Sequence, residues 1–448
     1  MNIQAITLES PTSAKDCLRA TPEILASSLA RYSRSNKGIE HILSTVDWDN
    51  PDASVERIFK FIDYGHASIG GLTGGIALCI DHCSMFLAYK IFELAQLVDG
   101  QESSTRYITM NPTSLMSAEE MGIPSSQHAA WNSCMERAFA LYNTKKHSLE
   151  QLAENHPERL RIPQDIPEKV QKRMRKNYAL DRCRYFIPMA TKTSAAYIMT
   201  ARVWAETVKQ LDSLPLKEAH DAAEGIRREL AKIAPRLIRH SYPDTASTAQ
   251  AEEELTLSQQ AILTNGMPTS SCEDMVFCSV EEEFPSFLPA TQQLHNAFHG
   301  KENRYSRIGR DLRRTNVRFA WNNIALAELR DLNRHRSGNR YTPFSPVGFY
   351  LPPEIERTNE IEQFLKEYAE LTTALASSGH HWYGYLLGTQ VGFEHTTQLD
   401  KLIYEIELRT GLGAHFRYAE HLHAVCTELL QQKPELRPYI TLGSAEPE

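Results

Sequence analysis

Two short stretches carry the side chains from which a chemical site could be assembled. "NRHRSGNRYTPFS" (333–345) sets Arg334, His335, Arg336 and Arg340 within eight positions. "QESSTRY" (101–107) offers Glu102, Ser104 and Arg106. Guanidinium forks match phosphate and carboxylate oxygens, and a glycine lets backbone N–H groups approach an anion. An anion site is one reading of "NRHRSGNR"; a solvated basic loop is the other. The bulk charge bears on the choice. The 448-residue chain has a formal net charge of −8, whereas a general nucleic-acid or membrane-surface binder is normally basic. An arginine cluster in an acidic chain points to a local site, and RNA binding through "RHRSGNR" is disfavoured on the same ground.

Other chemistries find less support. Cysteines stand at 17, 79, 83, 134, 183, 272, 278 and 426. "CIDHC" (Cys79, His82, Cys83) has no second ligand pair at zinc-type spacing, so buried free thiols are expected and no metal is assigned. No Walker-type loop is present, and "GHASIGGLTGG" (65–75) lacks dinucleotide-binding spacing. No apolar run reaches membrane-spanning length, and "MNIQAITLES" lacks the pattern of a signal peptide. The expected location is cytoplasmic.

The elements that would position these residues read mainly as helices, over 21–32, 53–62, 76–98, 127–150, 166–180, 194–211, 216–238, 316–333, 354–377, 397–408 and 412–432. "YITM", "YFIP", "MVFCSV" and "VGFYLP" read as short extended segments. The stretch 246–269 has the Ser/Thr/Glu-rich composition of a linker. A long internal repetition is visible as well. "IFELAQLVDGQESSTRYITMNP" (91–112) and "IALAELRDLNRHRSGNRYTPFSPVGFYLP" (324–352) both run apolar helix, polar loop, Arg-Tyr and a segment closing in proline. The expected organisation is a tandem duplication, 1–245 and 270–448.

The order of helix, "RHR", loop with serine, Arg-Tyr and a later helical arginine resembles the flavin-dependent thymidylate synthases, the ThyX family. The resemblance implies an α+β fold of two ThyX-like domains, each with long helices around a small, mostly antiparallel sheet. It also implies FAD as cofactor, NADPH and methylenetetrahydrofolate as co-substrates, and dUMP or a related pyrimidine nucleotide as the molecule methylated. In the first half His66 of "YGHAS" resembles the family's flavin-side histidine. Glu102, Ser104, Arg106 and Tyr107 resemble the second part of the signature, though RHR is absent. Arg184 of "RYFIP" stands as the phosphate-binding arginine, and Arg202 of "TAR" as a flavin ligand. In the second half Arg334, His335 and Arg336 form RHR, and Arg409 restores the last arginine. Asp331 replaces the usual Gln, and the loop before Arg340 is shortened to Ser-Gly-Asn.

The losses in the two halves are complementary. The resemblance therefore implies one composite site per pair of domains, with Arg334, Ser104 and Arg409 at the catalytic centre. Glu102, Arg106, Arg184 and Asp331 would join these three in binding substrate, and His66, His335, Arg336 and Arg202 would hold the flavin. A carboxylate at 331 accepts but does not donate, which leaves room for a substrate other than dUMP, such as a cytosine-like nucleotide. The family's chemistry needs no serine or cysteine nucleophile. Fusing two domains turns a family tetramer into a homodimer of two-domain chains. The rival expectation is a catalytically silent nucleotide- or flavin-binding or scaffold homologue.

Overall fold

The computed structural model describes residues 1–6, 22–50, 53, 72, 75–95, 98–160, 166–232, 240–281, 290–411 and 413–444. His66, nearly all of the helix expected over 53–62 and most of the glycine-rich stretch lie outside the described residues. Along the first part of the chain come β1 (Asn2–Ile6), α1 (Pro22–Tyr32), β2 (Ile76–Ser84), α2 (Met85–Leu94), β3 (Asp99–Glu102), α3 (His128–Asn155), α4 (Glu168–Cys183), β4 (Lys192–Met199), α5 (Ala201–Asp212) and α6 (Lys217–Ala231). After α7 (Thr245–Asn265) follow β5 (Val276–Val280), β6 (Asn316–Ala325), α8 (Leu326–Leu332), β7 (Asn339–Tyr341), β8 (Gly348–Phe349), α9 (Asn359–Ser377), β9 (Thr389–Gln398), α10 (Leu399–Thr410) and α11 (Phe416–Gln432). The α+β class is as expected: helices dominate, and both sheets are small and antiparallel.

Contacts divide the chain into two compact units, and each draws on both halves of the sequence. Unit 1 comprises Met1–Met135, Pro188–Leu257 and Ala374–Gly384; unit 2 comprises Glu136–Ile187, Ser258–Thr373 and Tyr385–Glu448.

Unit 1 holds a sheet of order β1-β2-β4-β3. Its two central strands pair from Ile76↔Met199 to Ser84↔Lys192, with a register shift between Asp81 and Cys83, where His82 adopts φ 60°. Ala77, Leu78, Cys79, Ile80 and Tyr197 are fully buried there, and the Trp204 indole N–H donates to the Ile76 carbonyl at 2.9 Å. At the strand-to-helix junction Ser84 donates both its N–H and its hydroxyl to the Glu218 carboxylate, each at 2.7 Å. The same hydroxyl accepts from the Leu87 N–H and caps α2.

Unit 2 holds a sheet of order β5-β6-β9-β7, with β8 also paired to β9. The strand order is that of the first sheet, and here too the second strand shifts register, between Trp321 and Ile324, before running straight into a helix. The Ala325 N–H at that junction donates to the Glu328 carboxylate at 2.9 Å. Trp321 stacks on Phe393 across the β6–β9 pair, ring centres 5.4 Å apart, and lies edge-on to His421 of α11.

Several expectations need correcting. The spans 76–98, 194–211 and 316–333 are each a strand followed directly by a helix, not one helix. Strands buried on both faces read as continuous apolar runs, so β2 and β4 cannot be told from helix by periodicity. "YITM" belongs to a turn in which the Ser104 carbonyl accepts from the N–H groups of Tyr107 and Ile108. "YFIP" opens in a single 3₁₀ turn at the end of α4. The stretch 246–269 is largely helical, within the 21-residue α7 that begins at Thr245, where an irregular segment was expected. Asp244 and Ser247 start it with reciprocal backbone-to-side-chain hydrogen bonds.

Candidate functional site

The RHR stretch follows α8 directly. Asn333 donates its N–H to the Leu329 carbonyl at 2.8 Å and His335 donates its N–H to the Leu332 carbonyl at 2.9 Å, so the helix runs on into the motif. The chain then turns back through Ser337-Gly338 into β7, where Arg340 pairs with His395 of β9. Gly338 has φ +88°, and a Cβ there would collide with the Thr396 carbonyl oxygen, so the shortened loop depends on glycine. The Arg340 guanidinium donates to the Asn333 carbonyl and ties the two ends of the loop together.

Five candidates from the second half and one from the first are side chains of unit 2. Arg184 is 1% exposed. It closes α4, which comes from the first half of the chain, and donates from Nη2 to Asp331 Oδ2 of α8 at 3.1 Å. Two residues proposed to bind substrate are thus each other's partner. Beside them Tyr185 donates its hydroxyl to buried Glu328 at 2.5 Å. Burial raises the Glu328 carboxyl to about 7, against the downward pull of Tyr185, Arg184 and Arg417.

Arg409 of α10 donates its Nε–H to His335 Nε2 at 2.6 Å and lies over the Tyr418 ring at 5.6 Å. Behind His335 stands buried Glu405, whose Oε2 is 4.0 Å from His335 Nδ1 and 3.4 Å from His395 Nδ1. Both ring nitrogens of His335 therefore face other protein groups. Among the described residues, the half-buried Arg334 guanidinium has no hydrogen-bond or ion-pair partner. The neighbouring buried Asn333 amide nitrogen has no hydrogen-bond partner among them either. Arg336 is half-buried.

In unit 1, Glu102 is the last residue of edge strand β3 and pairs with Ala195 of β4. Ser103 donates its N–H to the Ser194 carbonyl at 2.9 Å, which pins the start of the turn. Half-buried Ser104 accepts the Arg106 N–H on its hydroxyl at 3.2 Å, and Arg106 is itself 7% exposed. Arg202 is exposed in the first turn of α5, while the cap of that helix is Thr200, which accepts the Val203 N–H.

Sequence reasoning did not single out Glu405, His395 or Glu328. Glu405 stands four residues before Arg409 on one helix face, a spacing that was available as a signal. His395 and Glu328 become relevant only through β9 pairing and the α8 junction.

An FAD presents an acceptor-rich ring and a diphosphate. The uncommitted donors of Asn333 and Arg334 fit such a group, whereas a hydrogen bond from His335 to it would require Arg409 to release Nε2.

Fold and donor set together define a class: an α+β protein in which Arg184 and Arg409 reach residues at and beside the RHR motif, a candidate anion site. Residues 18–236, just under half of the chain, match the family model for Thy1, the thymidylate synthase complementing protein. The ThyX resemblance read from the motifs is thereby shown for most of the first half. Among curated proteins none matches the chain. No helix among the described residues is long and apolar enough to cross a membrane.

Proposed function

We propose that the protein is a flavin-dependent, thymidylate synthase-like enzyme that reductively methylates dUMP or a related pyrimidine nucleotide. One observation carries the reading: Arg184, from the first half of the chain, lies within unit 2 and hydrogen-bonds Asp331, three residues before Arg334 of the second half. This mixing of halves is what a site assembled from two duplicated domains requires. The shared strand order of the two sheets supports a tandem duplication, 1–245 and 270–448, joined through 246–269. A homodimer of such chains, cytoplasmic in location, completes the proposal.

In this reading Arg334 and Arg409 supply cationic donors to the nucleotide phosphate, and Arg184 is held ready by Asp331 until an anion competes for it. Ser104, Arg106 and Glu102 are further substrate ligands. Arg336, Asn333, Arg202 and His66 would hold FAD, with His335 against its ring, and reduced flavin supplies the reducing equivalents. Methylenetetrahydrofolate is the proposed carbon donor and NADPH the reductant.

The purified protein should take up FAD and, with NADPH, methylenetetrahydrofolate and dUMP, form dTMP. Failure to bind FAD would remove the cofactor and most of the proposal. The second reading is a catalytically silent nucleotide-binding homologue. It draws on the Arg184–Asp331 pair, in which a carboxylate already engages the arginine proposed for the phosphate. Nucleotide binding without turnover, also with cytosine nucleotides, would favour it.

A further inference from the structure

Half-buried Arg409 and buried His335, Glu405 and His395 stand in a row in which the proton of His335 can be placed. A guanidinium has donors only, so His335 Nε2, which receives the Arg409 Nε–H at 2.6 Å, must present its lone pair. If the ring is neutral, its proton is then on Nδ1, the nitrogen that faces Glu405. Charged and titratable groups face His335 from three elements: Glu405 and Arg409 from α10, His395 from β9 and Arg340 from β7. Burial lowers its pKa first, and Arg409, His395 and Arg340 add to that, outweighing Glu405. The ring is therefore neutral at physiological pH.

Glu405 behaves in the opposite sense. Burial alone would raise its carboxyl, but the facing His335, His395 and Arg409 hold it well below the usual carboxylate range. His395 is anchored on its far side, where Nε2 donates to the Ser337 carbonyl at 2.7 Å. This last bond reaches into the loop that carries RHR. Arg409 meanwhile has no carboxylate in ion-pair range among the described residues. An arginine paired directly with a carboxylate is largely neutralised, whereas one that hydrogen-bonds a neutral imidazole, with Glu405 beyond ion-pair range, keeps more of its charge for a ligand.

We propose that Glu405 and His395 are positioning residues that hold His335 as its Nδ1–H tautomer, so that Nε2 orients Arg409 without neutralising it. The cation is thereby kept for the anionic substrate. This rests on the reading of Arg409 as a substrate ligand.

The test uses the full chain. Nitrogen NMR of ¹⁵N-histidine-labelled protein, with His335 assigned by comparison with His335→Gln, should find the Nδ1–H tautomer at neutral pH. Glu405→Gln should convert it to a tautomer mixture and weaken dUMP binding in calorimetry by about tenfold. With turnover, KM should rise by a similar factor while kcat changes less. His335→Gln retains an acceptor for Arg409 and should weaken dUMP binding less than His335→Ala does. An Nε2–H or charged His335 in the wild type would overturn the proposal. So would a Glu405→Gln variant that binds dUMP as the wild type does. If the wild type binds no pyrimidine nucleotide, the functional reading fails, while the tautomer result still decides the arrangement of protons.

Discussion

Breaking the Arg184–Asp331 pair is the sharpest test of how this site is built. The Arg184 side chain is 1% exposed, that of Asp331 12%, and their nearest atoms are 3.1 Å apart. Removing one partner of a buried pair leaves an uncompensated charge, at a cost of about 3–5 kcal/mol. Asp331 retains some access to water and Arg184 has further interactions, so the lower end, about 3 kcal/mol, is expected for Asp331→Ala. Arg184→Met should cost a similar amount, because Asp331 is then the buried charge. The double variant Arg184→Met/Asp331→Leu removes both charges and should lose much less than the sum, with a coupling of about 2 kcal/mol. Urea unfolding of the four proteins measures this cycle. Asp331→Asn adds a functional arm, since it keeps a polar group of the same size but removes the negative charge beside the proposed phosphate. It should tighten dUMP binding by about tenfold. Strict additivity of the single changes would mean that the pair is not coupled. An Asp331→Asn variant with unchanged or weaker nucleotide affinity would count against Asp331 as a competitor for the anion.

Three further outcomes are expected. Glu328 has a folded pKa of about 7, above the ordinary carboxyl value, so its contribution to stability is present below about pH 4.5 and is lost as pH rises through about 7. Glu328→Gln should lack this loss, gaining about 3 kcal/mol on the wild type between pH 5 and pH 8.5 in urea titrations, and parallel pH profiles would contradict it. Gly338→Ala forces a side chain into a left-handed turn against the Thr396 carbonyl, and should lower stability by more than about 1 kcal/mol and weaken dUMP binding; an unchanged melting temperature would rule out the strained turn. Arg334→Ala and Arg409→Ala should each weaken dUMP binding by about tenfold in calorimetry, with the double variant less than additive, and Arg106→Ala should weaken it too. Full additivity of the first two would separate them into independent sites.

The fold class and most of the candidate residues were legible in the sequence because they rest on local signals. RHR, SSTRY and the arginine of "RYFIP" are contiguous motifs. The long amphipathic helices α3, α4, α9 and α11 announce themselves by spacing and were placed within a few residues. The strands were another matter. β6 alternates outward and inward side chains from Asn316 to Trp321, a period of two, but the helical spacing of α8 follows without a break and the two merged into one apparent helix. β2 and β4 are buried almost throughout, and only their pairing with each other distinguishes them from helix.

Which residues meet was decided by tertiary structure alone. The sequence reads Arg184 and Asp331 as separate ligands, 147 positions apart; the fold brings the residue closing α4 against Asp331 of α8 and makes them an ion pair. His335 looked like a cofactor contact inside a basic motif. Its ring nitrogens are turned to Arg409 and Glu405, because β9 and α10 bring His395 and Glu405 behind it. A motif determines which groups are available. Whether a buried charge faces a ligand or another side chain depends on what the fold sets within about 4 Å of it, where low dielectric makes each pairing worth several times its value in water.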